Sequence, residues 1–167
     1  PKSLKLIKIK ALMIKINVIV NNKDWHHHFK NPGNYIDRKI KRVNSKDKNF
    51  LKKKIYCTLL LSGDKEIKKL NKKFRKKNRT TDVLSFPFYS KKELKKKLKL
   101  EREIYIGDII INLNKIKIKN KLKKFKTEFD FLWVHGFVHL FGYDHKRKND
   151  YIKMNKVEKK YLSLINA

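Results

Sequence analysis

The sequence predicts an α+β domain: a small mixed sheet of about four strands packed with about five helices, the central one carrying a metal site. Two patterns and one cluster lead there. Four apolar runs have strand length, other segments repeat their apolar residues at helical spacing, and the two kinds are mixed rather than regularly alternating. Three histidines near the C-terminal end are spaced to meet around one point. A chain of 167 residues suits one domain with a sizeable core.

Met13 to Val20 alternates apolar and polar residues and reads as the first strand. Residues 1–12 are expected to be an extension, or a misplaced start, in front of a single domain spanning residues 13–167. Asn21 to Gly33 is loop-like, and Gly33 to Val43 reads as a helix with Tyr35, Ile36, Ile40 and Val43 on one side. Ile55 to Leu61 is a continuous apolar strand. Ser62-Gly63-Asp64 supplies a turn and an N-cap for a helix from Glu66 to Phe74, with Ile67, Leu70 and Phe74 at helical spacing. Asp82 to Phe88 is a strand that Pro87 places at an edge or at the strand's end. Residues 90–103 are Lys-rich and polar, the pattern of a mobile loop. Ile104 to Asn112 is the fourth strand, with Gly107 and Asp108 in its middle. Thr127 to Phe141 is the metal helix, and Asp150 to Ile165 a terminal helix with Ile152, Met154, Val157, Tyr161, Leu164 and Ile165 apolar.

Charge is the unusual feature: 46 Lys and Arg stand against 15 Asp and Glu, a formal +31. Such a surface attracts polyanions, and phosphate contacts release condensed counterions. Nearly all of the excess is Lys, accompanied by abundant Ile and Asn, as codon drift toward A and T would also produce. The charge alone therefore does not name a nucleic acid. Cys57 is the only cysteine, which excludes an internal disulfide and fits a reducing compartment. It sits in an apolar run, as buried filler would. Lysines break the N-terminal apolar stretch below signal-peptide or membrane-span length, so the cytoplasm is the expected location, with no membrane partner.

His135 and His139 are four apart, one helical turn, and so share a helix face. Gly142 suits a left-handed cap that turns the chain back, and His145 follows as a third imidazole. Three protein ligands with a fourth position open are the donor set of a catalytic zinc, here one ion. Zinc proteases share the helical His-x-x-x-His pair, with a Glu after the first His as general base. Here that position is Gly136. Asp144 is the nearest acid in sequence, as a base or as a carboxylate that orients an imidazole. His26, His27 and His28 are contiguous, so their side chains diverge, and a solvated loop accounts for them.

The run His135-Gly136-Phe137-Val138-His139-Leu140-Phe141-Gly142-Tyr143-Asp144-His145 resembles the signature of the YbeY family of metal-dependent endoribonucleases. Leu70-Asn71-Lys72-Lys73-Phe74-Arg75, Thr81-Asp82-Val83-Leu84-Ser85-Phe86-Pro87 and Gly107-Asp108-Ile109 resemble other family segments in the same order. The likeness runs from about Ile55 to the C-terminus, and the family's usual beginning resembles the stretch from Met13. Residues 21–54 match nothing that anchors them.

The resemblance implies a zincin-like fold, zinc on His135, His139 and His145, and a requirement for Arg75. A guanidinium can clamp a phosphate bidentately and stabilise charge in its transition state. It further implies cleavage of single-stranded RNA in rRNA maturation, at the 3' end of 16S rRNA, and ribosome quality control. The partners would be small-subunit precursor rRNA and ribosomal proteins or assembly factors, with no DNA. Asp82 can instead fix a turn, Ser85 pack in its strand, and Asp108 be paired. Phe86, Phe88 and Tyr89 could stack bases, though Phe86 suits the core. Attack by water and attack by the ribose 2'-OH both stay open. Two rival classes remain, a zinc protease and a non-catalytic assembly factor with structural zinc.

Overall fold

Four strands and five α-helices make up the described part of the chain, residues 13–47 and 53–167 of a computed structural model. They run β1 (Met13–Val20), α1 (Pro32–Lys46), β2 (Lys54–Ser62), α2 (Asp64–Arg75), β3 (Val83–Pro87), α3 (Lys91–Leu100), β4 (Glu103–Asn112), α4 (Leu122–Leu140) and α5 (Lys148–Asn166). The extension expected over residues 1–12 lies outside the described residues. The sheet order is β1-β2-β4-β3, with β1, β2 and β4 parallel and β3 antiparallel to β4. That antiparallel edge makes the sheet mixed, as expected.

Helices α1 and α4 pack on one face of the sheet and both touch α5. Helix α2 covers the opposite face, where Ile67 meets Leu84 and Ile110. In β2 the residues Ile55, Cys57, Leu59 and Leu61 face the larger core, as period-two alternation demands. Strand β4 needs a correction to do the same. Ile104 and Ile106 face that core, but so do Ile109 and Ile111, which have the opposite parity. A bulge resolves the conflict: the register with β2 slips between Tyr56 and Thr58, beside Gly107 at φ +136. A Cβ on Gly107 would stand 2.2 Å from the Phe86 carbonyl oxygen, so both conformation and space require glycine.

The second half of helix α4, from Leu132 to Leu140, is apolar nearly all round, because it is enclosed by sheet and helices. The helix's one buried charge, Asp130, is fully partnered. It accepts from the Tyr35 hydroxyl (3.0 Å) and the Trp133 indole (2.9 Å) and pairs with Lys39 (2.8 Å), which fastens α1 to α4. Side chains also reach both outer strands. Asn44 of α1 clasps Ile14 of β1, accepting from its N–H and donating to its C=O, each at 3.0 Å. On the other edge, Arg75 donates to the Ser85 carbonyl at 3.0 Å.

Three expectations are corrected. Residues 90–103 are not a mobile loop, since Lys91–Leu100 form α3, opened by a reciprocal capping box between Ser90 and Glu93 with Leu94 buried. The N-cap of α2 is Gly63, without a side-chain bond, while Asp64 instead accepts from Asn112 at 2.7 Å. The segment from Asn21 to Gly33 holds a 3-10 turn, Lys23–His27, and the start of α1. That turn buries Trp25, whose indole donates to the Ser62 carbonyl at 2.9 Å. His28 stacks on Phe125, while His26 and His27 are exposed.

Cys57 is buried as expected, and burial pushes its thiol well up from its usual value. Native protein should therefore resist alkylation by iodoacetamide for hours, and urea-unfolded protein should react within minutes. Mass spectrometry of the two samples checks this.

Candidate metal centre

His135 and His139 lie on the least buried stripe of α4, with exposed Phe131 stacked over His135 at 6.1 Å. After Leu140 the helix ends through Gly142, whose φ of +82 reverses the chain. A Cβ there would press on Lys91 at 2.8 Å, so α3 docks against this turn. The turn brings His145 back. The ring centroids of His135, His139 and His145 stand 4.7, 5.0 and 5.6 Å apart, and a ligand atom from each lies within 4.8 Å of the others.

The tautomers follow from what the rings face. His139 Nδ1 lies 2.8 Å from the Tyr143 carbonyl, which only accepts, so Nδ1 carries the hydrogen. His135 Nδ1 lies 2.6 Å from Glu158 Oε1. An ionised carboxylate also only accepts, so this Nδ1 is the donor too. With both rings neutral, the two Nε2 atoms then turn their lone pairs toward each other across 3.2 Å. Two acceptors facing each other repel unless a cation lies between them. Zinc–nitrogen bonds of about 2.0–2.1 Å at tetrahedral angles would place neighbouring nitrogens roughly 3.3 Å apart, so the pair fits such an ion. Burial, reinforced by His135 beside it, lowers His139 to about 4, which keeps the ring neutral.

Gly136, the position of the missing base, faces the sheet rather than the histidines. A Cβ there would stand 2.5 Å from Ile109 Cγ2 and 3.1 Å from Ser85 Oγ. The absent carboxylate is thus a packing requirement of α4 on β3 and β4. Ser85 itself donates to the Gly136 carbonyl at 3.2 Å, so strand packing accounts for it.

A cleft of about 860 Å³ opens beside the rings, lined by His139 and His145 on one wall and by Arg75 and Phe88 on another. Arg75 ends α2, and besides its bond to Ser85 it lies over the Phe86 ring at 5.8 Å. Lys77, Lys91 and Lys146 add positive charge to the rim. Asp144 also lines the cleft. It accepts from the His145 amide at 2.8 Å and pairs with Lys146 at 3.2 Å. Burial raises its carboxyl, but those two partners outweigh burial and hold it below the usual range. Phe86 is half-buried, while Phe88 is exposed. Asp82 fixes the entry to β3 by accepting from the Val83 amide at 2.8 Å. Asp108 is paired with the Tyr105 hydroxyl.

Glu158 is the residue that the sequence reading missed. Its signal was position: it falls one turn beyond Met154, one before Tyr161 and two before Ile165, on the buried stripe of α5.

The chain is similar to known proteins over most of its length. Residues 19–166 match the family model described as endoribonuclease YbeY, so the likeness begins well before Ile55. The endoribonuclease YbeY of Pelagibacter ubique is 42% identical over 148 residues, covering 87% of this chain and 92% of that one. Its counterpart from Ehrlichia canis is 30% identical over 152 residues, or 90% and 91% of the two chains. A solution structure from Thermotoga maritima shares the fold, with a TM-score of 0.53 at 24% identity over 92% of this chain and 89% of that one. With a family match that spans the whole of α4 and 42% identity to a curated member, the chain belongs to the endoribonuclease YbeY family.

Proposed function

We propose that residues 13–167 form a zinc-dependent endoribonuclease that cleaves single-stranded RNA in the cytoplasm, within rRNA maturation at the 3' end of 16S rRNA and ribosome quality control. Ribosomal precursor RNA is its substrate, and ribosomal proteins or assembly factors are its neighbours. The facing Nε2 atoms of His135 and His139, with His139 and His145 lining one cleft with Arg75, carry this reading. His135, His139 and His145 hold the ion. When bound, it supplies Lewis acidity at a phosphoryl oxygen and acidifies a coordinated water.

The chain's own side chains do the rest. Arg75, anchored on Ser85 by one N–H, keeps its other donors for a phosphate, and its position over Phe86 limits its swing. Lys77, Lys91 and Lys146 draw the RNA backbone toward the rim. Asp144 is the cleft's acid. It secures the loop that delivers His145 and stays ionised beside Lys146, available to a reacting proton. Gly136 argues against a peptidase, because a base at that position would point into the sheet.

Cleavage of a fluorescent single-stranded RNA tests the reading. Arg75→Ala is expected to cut kcat/KM by about 10²–10³-fold with zinc content unchanged, and Arg75→Lys to restore only part, since an ammonium is no bidentate clamp. Wild-type protein that holds zinc and leaves RNA intact would sink it. A substrate with one 2'-deoxy at the scissile site then separates water attack from 2'-OH attack.

A further inference from the structure

The carboxylate of Glu158 lies outside the three-histidine set, on a different helix, yet its Oε1 stands 2.6 Å from His135 Nδ1. Its side chain is 12% exposed, so the bond is largely shielded from water. Helix α5 is not free to carry it away. Met154, Tyr161 and Ile165 are buried on the same stripe, and Tyr161 meets Phe137 of α4 edge to face at 5.5 Å. The three rings are supported unequally. His139 rests on a neutral carbonyl, that of Tyr143, and the His145 ring makes no hydrogen bond among the described residues. Among the described residues, only His135 has a carboxylate hydrogen-bonded to its ring.

We propose that Glu158 is a positioning residue for His135. It holds the hydrogen on Nδ1, aims the Nε2 lone pair at the ion, and makes that imidazole the most electron-rich of the three donors. The role rests on the reading of the histidines as a metal site. The global charge gives it added weight. A divalent cation approaching a chain of formal +31 meets a repelling field, and a shielded carboxylate directly behind a ligand offsets that field locally. Metal affinity is thereby tied to the docking of α5, although no residue of α5 is a ligand. A loosened C-terminal helix would release the ion before the sheet unfolds.

The test is zinc affinity, measured by competition with a chromophoric chelator, on the full chain carrying Glu158→Gln, Glu158→Ala or, as a control on the exposed side of α5, Lys159→Ala. Glu158→Ala is expected to bind zinc about 10–100-fold more weakly than wild type. Glu158→Gln should fall between, since its amide oxygen still accepts the Nδ1 hydrogen but brings no charge, and Lys159→Ala should match wild type. Circular dichroism confirms the fold, and if Glu158→Ala does not fold, the near-isosteric Glu158→Gln decides. Affinity of the glutamine variant equal to wild type would then overturn the proposal, as would a folded alanine variant with wild-type affinity. If wild-type protein binds no zinc at all, the metal reading falls, and the ring itself judges Glu158. Proton–nitrogen spectra of metal-free protein should show one Nδ1–H tautomer for His135 in wild type and a mixture in Glu158→Ala. Identical populations in both would sink the positioning role.

Discussion

His139→Ala is expected to leave a folded protein that carries no stoichiometric zinc and cleaves RNA about 10³-fold more slowly or worse. The side chain sits at the centre of the site, with its Nε2 3.2 Å from that of His135 and its Nδ1 on the Tyr143 carbonyl. Removing it leaves two imidazoles, one of them on a loop, which cannot enclose an ion. Little of the fold depends on it. The larger core runs through Phe137, Val138 and Leu140, which point away from the cleft, and α1 is fastened to α4 further along at Asp130. Metal analysis, RNA cleavage and thermal unfolding on one preparation check the result. A variant that fails to fold would instead assign the ion a structural role, as expected of an assembly factor without catalysis.

Gly136→Glu would restore the residue that zinc proteases carry after the first histidine, and it is expected to yield no protease. The first atom of the new side chain would stand 2.5 Å from Ile109, which is fully buried in the sheet. Overpacking and a carboxylate buried without a partner each cost several kcal/mol at worst, so a loss of about 3 kcal/mol or more is expected. Urea unfolding should show the lowered midpoint, casein should stay intact, and RNA cleavage should fall along with the folded fraction. A wild-type midpoint would show that α4 can lift off β4, against the close packing of Gly136 on Ile109. Gly136→Ala should move in the same direction by about 1–3 kcal/mol.

These two residues mark what was legible in the sequence and what was not. The spacing of His135, His139 and His145 around Gly142 depends on helix period and one left-handed residue, both local, and so it could be read directly. Gly136 could be read only as a missing base. Its reason lies in Ile109, distant in sequence and adjacent in space. Helix α3 was hidden by composition: its lysines suggested a loop, although Ser90 and Glu93 already spelled a capping box and Leu94 and Leu98 repeat at one turn. The bulge at Gly107 reverses the facing of β4 midway, which an alternation rule applied from one end cannot anticipate. Glu158 escaped notice because an acid among lysines resembles a solvated helix face, and its phase on α5 matters only once the partner helix is known.

The side chains on the two outer strands bear on a different property, the tendency of the molecule to self-associate. An open sheet offers unpaired backbone groups at both margins, and these template the addition of further strands. Here Asn44 occupies both groups of Ile14 at one margin. At the other, Asp82 and Phe88 turn their backbone groups toward β4, so the carbonyl of Ser85 points outward, and Arg75 covers it. Strand β3 is also short and ends on Pro87, which has no amide hydrogen to offer. The arginine proposed for phosphate binding thus also covers a carbonyl at the sheet's edge. Preparations that lack it should be checked for oligomers before a fall in turnover is ascribed to chemistry.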